Sequence, residues 1–587
     1  SAGGFSDDTM ALFRRRAVDA AAWCKGRVDV TFNGRLVDVP GLEGYTRALV
    51  ADQRPLFTHR TRDGRWEFVV THNDGGCFEQ VSFVNGINTR RGGRHVEHVA
   101  KPLTKALAAV VAKREKIRVT SKAVRSQLLL LVRAVIVNPA FDGQVKELLT
   151  TPVSRFGSRC EMPKGVGEKL ARAVPNLVAR VASHAKYRNN RALKRTDGSK
   201  ISSVRGIPKL CDATRAGTRR SRDCTLILTE GDSAKTMAIS GLAAIPDGRE
   251  VYGVFPLKGK LLNVRGADPS KIANNVEITQ LKRILGLKTG MAVNTGSRGT
   301  WPLRYGAVVI MTDQDVDGSH IKGLLANLFH VHWPSLLQIG FVSALVTPIV
   351  KVWSRRGLAE PLLFYNLFDY EAWCRRNPRH ASTHRSKYYK GLGTSTSDEA
   401  KEYFGRHRRE VKYEFGSGCD EALNLAFDKN RSNDRKIWLG RYNTDNVLDA
   451  TRTRVPFADF VHSELIHFSQ YDVHRSIPSA TDGLKPSQRK VLFACLKRKL
   501  TQEIKVAQLA GYVSEHAAYH HGEVSLHGAI VNMAQEFVGS NNLALLAPCG
   551  QFGSRLQGAS DAASPRYIFT RLSALAQLVF PAADLPL

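Results

Sequence analysis

The amino-acid sequence predicts a multidomain protein of mixed α/β and α+β class. The first observation is length, because 587 residues exceed what a single hydrophobic core usually organises. The second is composition: 43% hydrophobic residues are enough for packed cores, so disorder is not indicated. The third is an apolar, strand-like run that ends in acidic residues and continues at helical spacing. This order is typical of an open α/β sheet with a ligand site at its edge.

The apolar run is Val308 to Met311, and three carboxylates at alternate positions follow it. Apolar residues at 321, 324, 325, 328 and 329 then recur at helical spacing. The acids therefore lie at the carboxyl end of a buried strand, where open α/β sheets bind their ligands. Three anions so close together need a cation, and the oxygen ligands of Asp313, Asp315 and Asp317 suit Mg²⁺ or Ca²⁺.

An EF-hand loop is the alternative interpretation of these acids, because Asp-x-Asp-x-Asp-Gly also opens that loop. An EF-hand needs a bidentate glutamate at its twelfth position, and counting from Asp313 that position is Leu324. It also needs a helix before the loop, where this chain has a predicted strand. The EF-hand is therefore disfavoured.

A second predicted strand, Thr225 to Thr229, ends in Glu230 and runs into a helix from Lys235 to Leu242. If the two strands share one parallel sheet, Glu230 and the three aspartates would form one acidic metal site. Taken together and in this order, the two stretches resemble the Toprim domain of type IA and type II topoisomerases, some primases and a few nucleases.

Charge and composition narrow the class of partner. The chain carries 86 Lys and Arg against 53 Asp and Glu, a net charge of +33 with a pI near 10.0. This excess favours a nucleic acid over a merely solvated basic surface. Nine scattered cysteines without a Cys-x-x-Cys pair predict neither a zinc site nor a disulfide framework. The longest apolar run, Leu128 to Val137, is interrupted by Arg133 and is too short to span a bilayer, so no membrane association is expected.

Residues 1–150 are predicted to be α+β. Strands are expected over 27–32, 65–71 and 78–85, a helix from His95 to Glu115, and a helix or strand around Leu128 to Val137. Four motifs in this region are similar to the transducer (ribosomal S5-like) domain of eukaryotic-type topoisomerase II. They are Phe83-Val84-Asn85-Gly86-Ile87, Gly92-Gly93-Arg94-His95-Val96, Asn138-Pro139-Ala140-Phe141 and Phe156-Gly157-Ser158-Arg159-Cys160.

The transducer resemblance implies an ATP contact at Gln144, Val145 and Lys146, where the family has a Gln-Thr-Lys loop that reaches the terminal phosphate. Val145 replaces the threonine, and alone these residues would indicate only a solvated helix start. The sequence contains no Gly-x4-Gly-Lys-[Ser/Thr] and nothing similar to the family's adenine-binding half. That half is expected to precede Ser1, so the chain is expected to be a fragment.

The domain organisation predicted from these features has five parts. They are the transducer (1–150), a basic, loop-rich linker (151–222), the Toprim metal-binding domain (223–345), its extension (346–445) and a helical, basic winged-helix region with the start of the tower (446–587). In the last part, a helix with Pro486 in its first turn is predicted to bury Val491, Leu492, Cys495 and Leu496.

Several residues occupy positions that contact DNA in the topoisomerase II family. Arg435 and Lys436 stand in an Asp-Arg-Lys-x-Trp-Leu motif, whose alternative interpretation is a surface ion pair beside a buried tryptophan. His520 and His521 are not expected to chelate a metal, because neighbours on a helix point about 100° apart. The DNA contacts implied by the resemblance are Lys260, Asn263, Arg435, Lys436, Lys485, Tyr519 and Ser525.

The most specific motif is Ser564-Pro565-Arg566-Tyr567-Ile568-Phe569-Thr570, which matches a run of eukaryotic type II enzymes. One tyrosine among fifteen is structural by default. A phenol titrates near ~10, so attack on a phosphodiester needs proton removal and a nearby cation. The resemblance implies that Tyr567 becomes linked to the 5′ phosphate of DNA, assisted by Arg566.

The resemblance as a whole implies an ATP-dependent type IIA DNA topoisomerase that cleaves double-stranded DNA, passes a duplex and religates, and so relaxes and decatenates DNA. It implies Mg²⁺ (with Mn²⁺ or Ca²⁺ as substitutes) at Glu230, Asp313, Asp315 and Asp317, ATP as substrate of the full-length enzyme, and a homodimer. A fragment of this extent is expected to bind DNA without relaxing it. The nucleus is the expected compartment, with the mitochondrion as alternative. A non-catalytic DNA-binding scaffold and a Toprim primase or nuclease are the alternative functions.

Overall fold

The computed structural model describes residues 5–24, 27–50, 54–117, 119–293, 301–355, 360–389, 391–519, 521–581 and 583. The chain divides into two compact units. The first comprises residues 1–197 with 267–279, and the second comprises 198–266 with 280–587.

The residues before 198 form nine strands and six α-helices among those described. The strands are β1 (Thr31–Phe32), β2 (Arg35–Leu36), β3 (Phe57–Arg60), β4 (Trp66–His72), β5 (Glu79–Val84), β6 (Ile87–Asn88), β7 (Gly92–Gly93), β8 (Leu128–Ala134) and β9 (Leu148–Leu149). The helices are α1 (Asp7–Cys24), α2 (Gly41–Val50), α3 (Arg94–Glu115), α4 (Ser121–Arg125), α5 (Val166–Ala173) and α6 (Pro175–Lys194).

The first unit is built on a five-stranded sheet of order β3-β4-β8-β5-β6. Strand β8 pairs antiparallel with β4 and parallel with β5, so its leucine-rich run lies at the centre of the sheet. One core joins the sheet to α3, α5 and α6, and a smaller core joins it to α1 and α2. Both faces of β8 are therefore covered, which explains why its sequence is continuously apolar.

From residue 198 onward the described chain forms twelve strands. They are β10 (Thr225–Glu230), β11 (Tyr252–Leu257), β12 (Ala307–Met311), β13 (Val342–Leu345), β14 (Val350–Ser354), β15 (Leu362–Phe364), β16 (His384–Tyr388), β17 (Glu410–Glu414), β18 (Arg454–Pro456), β19 (Ile504–Lys505), β20 (Leu546–Cys549) and β21 (Phe569–Leu572).

The same part of the described chain forms seventeen α-helices. They are α7 (Gly231–Leu242), α8 (Gly248–Val251), α9 (Pro269–Asn274), α10 (Val276–Leu285), α11 (Val316–His332), α12 (Pro334–Gln338), α13 (Leu367–Arg376), α14 (His380–Thr383), α15 (Ser397–Phe404), α16 (Cys419–Phe427), α17 (Ser432–Gly440), α18 (Phe457–Phe460), α19 (Ile466–Ser476), α20 (Pro486–Lys497), α21 (Val506–His516), α22 (Glu523–Ala534) and α23 (Ala574–Val579).

The second unit contains a six-stranded sheet of order β11-β10-β12-β13-β17-β18. Its first four strands are parallel, and β17 then pairs antiparallel with β13. Strands β14, β15 and β16 form a separate antiparallel sheet, which with α13 and α14 makes a small module between residues 350 and 388. Helices α20 to α22 and the sheet β19-β21-β20 enclose a further core. The mixed α/β and α+β class is confirmed.

Several local predictions need correction. Only Thr31 and Phe32 of the strand expected over 27–32 are in a strand, which pairs with β2, and Val28 is exposed. The ambiguous run at Leu128 is a strand. Gln144 and Val145 lie in a turn rather than at a helix start.

The expected loop-rich linker over 151–222 is also wrong for its first half. Helices α5 and α6 form there, and their apolar faces, with Leu170, Leu177 and Val181, are fully buried in the core of the first unit. The basic residues of α6 hide this amphipathic pattern when the region is judged by composition. Similarly, the region after 446 is helical but also contains four strands.

Candidate functional site

The ends of β10 and β12 bring the first two predicted acids together. These strands are parallel neighbours, with Thr229 opposite Met311. The amide of Asp313 donates a 3.2 Å hydrogen bond to Glu230 Oε2. Burial, followed by the charge of Asp313, raises the pKa of Glu230 to about 7. Burial also raises the pKa of Asp313, and a nearby cation would favour the ionised form of both carboxylates.

Asp315 and Gly318 shape the turn that follows β12. Asp315 Oδ1 accepts a 2.7 Å hydrogen bond from the amide of Gly318, which caps the N-terminus of α11. A Cβ on Gly318 would overlap the carbonyl oxygen of Asp313, so no larger residue fits without moving the turn. The glycine therefore lets the acidic turn close tightly against the helix.

A second contact fixes Asp313 from outside the sheet. The amide of Leu392 donates to Asp313 Oδ1 over 2.8 Å, and a Cβ on Gly391 would lie 2.7 Å from Asp313 Oδ2. The glycine-rich segment after Tyr388 is visible in the sequence, but nothing in the sequence links it to the acids. Lys390 of that segment lies outside the described residues.

Asp317 is held by two basic side chains. Lys260 Nζ lies 2.7 Å from Asp317 Oδ1, and Arg475 makes a bidentate pair with both oxygens at 3.0 Å. Burial acts to raise the pKa of Asp317, but hydrogen bonds from Arg475 and Lys260 outweigh it and lower the pKa to about 2. Arg475 belongs to α19 and lies 158 positions away in sequence, and no local motif pointed to it.

The donor chemistry at this edge fits a hard divalent cation. Glu230, Asp313 and Asp315 supply carboxylate oxygens, and the raised pKa values of the first two mark a place where positive charge is lacking. Asp317 differs, because Lys260 and Arg475 already neutralise it. Among the described residues, no three His, Cys, Asp or Glu side chains are grouped closely enough to surround one ion.

Tyr567 is displayed on a loop that is fixed on both sides. The Ala507 amide donates to Pro565 O over 3.1 Å, and the Val506 amide donates to Ile568 O over 3.0 Å. Ile568 is buried, whereas the Tyr567 side chain is 69% exposed. Arg566 lies over the tyrosine ring, with its guanidinium carbon 5.4 Å from the ring centroid. In the part of the chain that the structure describes, the Tyr567 hydroxyl makes no hydrogen bond and is open to a partner.

The other predicted DNA contacts fall into two groups. Lys436, Lys485 and Ser525 are exposed. Asn263 and Arg435 are engaged internally: Asn263 Nδ2 donates to Phe427 O over 2.9 Å, and Arg435 Nη1 donates to the carbonyls of residues 425 and 428. Their direct contact with DNA stays a prediction.

Tyr519 is largely buried, which does not fit its predicted role as a direct contact to DNA. It is only 5% exposed and packs in the core around α20 to α22. Its hydroxyl points to Ser525 Oγ at 3.4 Å, so Ser525 rather than the tyrosine ring is available at the surface. The neighbouring His520 lies outside the described residues.

The predicted nucleotide-contacting residues lie in an exposed turn of the first unit. Val145 is 79% exposed, and Lys146 has a left-handed backbone with φ of 60°. The turn follows Asp142, whose carboxylate lies 2.6 Å from Arg91. The exposed lysine can reach a ligand from this turn, and its role with ATP stays a prediction.

Known protein families match four stretches of the chain. In chain order, the family models are "DNA gyrase B" over 41–197, "Toprim domain" over 225–343, "C-terminal associated domain of TOPRIM" over 345–473, and a DNA gyrase/topoisomerase IV model over 475–587. DNA topoisomerase 2 of Arabidopsis thaliana is 46% identical over 98% of this chain, and DNA topoisomerase 2-alpha of Sus scrofa is 47% identical over 98%. Nearly the whole of this chain is therefore homologous to eukaryotic DNA topoisomerase 2.

The chain spans about two fifths of these relatives, 39% of the Arabidopsis protein and 38% of the porcine one. A crystal structure of the Plasmodium falciparum topoisomerase II DNA-binding, cleavage and re-ligation domain is 49% identical, with a TM-score of 0.54. That match covers 64% of this chain and 51% of the Plasmodium chain. DNA topoisomerases 2 are isomerases, and their family and the Toprim domain generally depend on a divalent metal. No described helix is long and apolar enough to cross a bilayer.

Proposed function

We propose that this chain carries the DNA-cleaving centre of a type II DNA topoisomerase, with Tyr567 as nucleophile. The observation that carries the proposal is the display of Tyr567. It is an exposed phenol beside Arg566, on a loop anchored at Pro565 and Ile568. A nucleophile must reach a DNA backbone from outside while its own position stays fixed, and this loop meets both needs.

Tyr567 would attack a backbone phosphorus in line and displace the 3′ oxygen. The phenol loses a proton, the 3′ oxygen gains one, and the 5′ phosphate becomes esterified to the tyrosine. Arg566 is placed to stabilise negative charge on the phosphate as it forms. The ester conserves the phosphodiester bond, so religation is the reverse reaction and requires no nucleotide.

Glu230, Asp313 and Asp315 are the residues that would hold a divalent cation, for which Mg²⁺ is the proposed species. When bound, such an ion supplies electrostatic stabilisation of the charge that develops on the scissile phosphate and the leaving oxygen. Lys260 and Arg475 keep Asp317 ionised and in place at the side of this group. The turn before α11 fixes the direction of Asp315 through its cap.

A homodimer on double-stranded DNA is part of the proposal. Cutting two strands needs two tyrosines, and a two-fold dimer supplies them. In this dimer, the acids of one protomer would act with Tyr567 of the other. ATP would act through Lys146 to drive passage of a duplex, by conformational change rather than in the cleavage chemistry.

The test is cleavage of duplex DNA with Mg²⁺, quenched with detergent, by the chain and by Asp315→Asn. The variant is expected to lose at least about 100-fold in cleavage, since it removes an oxygen ligand and its charge. Asp232→Asn is the matched control. It removes an acid two residues after Glu230 that is exposed and paired with Lys209. Normal DNA binding without cleavage by the unaltered chain would instead favour a non-catalytic scaffold.

A further inference from the structure

We propose that the small module between residues 350 and 388 carries a second DNA-binding surface, a patch of five arginines that contacts the duplex beside the cleaved segment. The arginine patch consists of Arg355, Arg375, Arg376, Arg379 and Arg385. The inference rests on the proposed function, because it takes the cleaved duplex as the ligand. Neither the family motifs nor the predicted DNA contacts include these residues.

The module is strongly basic for its size. Between residues 350 and 388 the sequence contains eight Lys and Arg against three Asp and Glu. The two lysines are already neutralised: Lys351 pairs with Glu402 at 2.5 Å and Lys387 with Glu399 at 2.8 Å. The uncompensated charge therefore belongs to arginines.

All five arginines of the patch are exposed, and across the described ranges none of them forms a salt bridge. Arg355 and Arg376 each donate one hydrogen bond, to the carbonyls of His384 and Ala372. Arg375, Arg379 and Arg385 make no side-chain hydrogen bond among described residues. Five guanidinium groups without acidic partners repel one another, so the patch is electrostatically unfavourable until an anion binds.

The fold places these arginines at one end of the module. Arg385 lies opposite Trp353 at the end of β14, and the amide of Arg355 donates to Thr383 O over 2.9 Å. Thr383 Oγ1 in turn donates to Arg379 O over 2.9 Å. Arg375 and Arg376 form the last turn of α13, next to Trp373. Segments that are far apart in sequence thus meet at this end of the module.

Trp373 gives the patch a rigid base. Its ring lies 5.7 Å from the ring of His380 and 5.3 Å from that of His384, measured between centroids. It also packs on Phe364 and Tyr370 in the small core of the module. The arginine backbones are therefore held in place, so phosphate binding would order little except side chains.

Duplex DNA fits this patch because of its distance from the acidic turn. Strand β16 carries Arg385, and the chain then runs to Leu392, whose amide binds Asp313. Seven residues span at most about 25 Å, which is about seven base pairs of B-form DNA. A duplex positioned for cleavage at the acids would need to extend by no more than about this length to reach the level of Arg385. Guanidinium groups suit phosphate oxygens through bidentate hydrogen bonds.

The experiment measures binding of a fluorescent duplex of about 40 base pairs by anisotropy over a range of KCl concentrations. The variant is Arg375→Gln/Arg379→Gln/Arg385→Gln. We expect a loss of affinity of at least about tenfold at low salt, and a slope of log affinity against log salt that is shallower by about 2 to 3 per chain.

The matched control removes three exposed arginines that already have acidic partners, in Arg220→Gln/Arg406→Gln/Arg454→Gln. This control changes the net charge equally and should alter the slope by less than about 1. Equal slopes for the two triple variants would overturn the proposal. Binding of poly-glutamate by the same variants tests an acidic protein partner as the alternative. If the patch variant loses poly-glutamate binding while its DNA binding is unchanged, the proposal is overturned in favour of that partner.

Cleavage assays on the same preparations separate this proposal from the proposed function. If the patch variant binds weakly but still forms the covalent adduct at saturating protein, both proposals stand. If the unaltered chain never forms an adduct yet the salt slopes differ as expected, the proposed function fails and the DNA-binding patch stands. Thermal unfolding of the variant should be unchanged, because all three side chains are exposed. An unchanged unfolding temperature excludes misfolding as the cause of weaker binding.

Discussion

Glu399 shows how one residue supports the site from a distance. Its carboxylate accepts hydrogen bonds from Lys387 Nζ at 2.8 Å and from Tyr389 Oη at 2.6 Å. It also closes the capping box of α15 by accepting from the Thr396 amide. These contacts lie on both sides of the segment that places the amide of Leu392 against Asp313. The loop that holds Asp313 is therefore stabilised by an ionised acid.

Acid pH should destabilise the second unit through Glu399. Burial acts to raise the pKa of Glu399, but hydrogen bonds from Lys387, Tyr389 and the Thr396 amide outweigh it and lower the pKa to about 2. The stabilisation is present above the unfolded pKa and is lost as pH falls from about 4.5 to about 2. Glu399→Gln should cost about 1 kcal/mol at neutral pH, less than the full pKa difference because solvent screens the group.

The measurement is urea unfolding of the chain and of Glu399→Gln between pH 2 and pH 7. The difference in unfolding free energy between the two should shrink toward zero at the acid end of the range. Lys401→Gln is the control, since it disrupts an exposed ion pair with Asp398 in the same helix. A constant difference at every pH would contradict the assignment.

At this scale the sequence predicts residues whose chemistry is local and misses those supplied by distant segments. Glu230, Asp313 and Tyr567 stand in recognisable sequence motifs and can be identified from the sequence alone. Arg475 and the amide of Leu392 reach the acids only through folding, and an isolated arginine or a backbone amide leaves no pattern in sequence. The burial of Tyr519 was equally hidden, because a motif position does not reveal exposure.

Among the elements, the turn between β12 and α11 leaves no room for a side chain at Gly318. Gly318→Ala places a Cβ in overlap with the backbone oxygen of Asp313, and backbone cannot move aside as a flexible side chain can. We expect a loss of about 3 kcal/mol in unfolding free energy, together with loss of cleavage, because Asp313 and Asp315 shift with the turn.

Gly528→Ala is the matched control for this substitution. Gly528 lies within α22, and a Cβ there meets no atom within 4 Å. The control should raise the unfolding free energy by about 0.5 to 1 kcal/mol through helix propensity and leave cleavage unchanged. Thermal and urea unfolding of both variants measure the difference between their unfolding free energies. Equal stability of the two would show that the turn accommodates a side chain.

Elements with a strong period follow the sequence closely. Strand β12 and helix α11 lie where hydrophobic spacing places them, and Pro486 occupies the first turn of α20 as expected. The run at Leu128 could not be assigned, since a strand covered on both faces is as uniformly apolar as a buried helix. The sequence predicts a linker where helix α6 forms, because basic residues dominate the composition of this segment, although its apolar residues follow one helical face.

For the whole molecule, parallel pairing of β10 with β12 is the arrangement that turns two separate motifs into one site. Glu230 and Asp313 are 83 residues apart in sequence, and only the sheet brings them within hydrogen-bond reach of each other. The predicted α/β class already implies that two parallel strands can bring their terminal acids together. The class alone does not predict the ion pair between Asp317 and Arg475 of α19. This pair connects the acidic turn to the part of the chain that continues to Tyr567.

The most direct measurement of the central claim is the chemical identity of the residue that becomes attached to DNA. The chain is incubated with duplex DNA and Mg²⁺, trapped with detergent, digested with nuclease and protease, and analysed by mass spectrometry, alongside Tyr567→Phe. A peptide containing residues 566–568 that carries a nucleotide on Tyr567, and is absent from the variant, is the predicted result. A nucleotide on any other residue, or an adduct that persists in Tyr567→Phe, would contradict the assignment of Tyr567 as nucleophile.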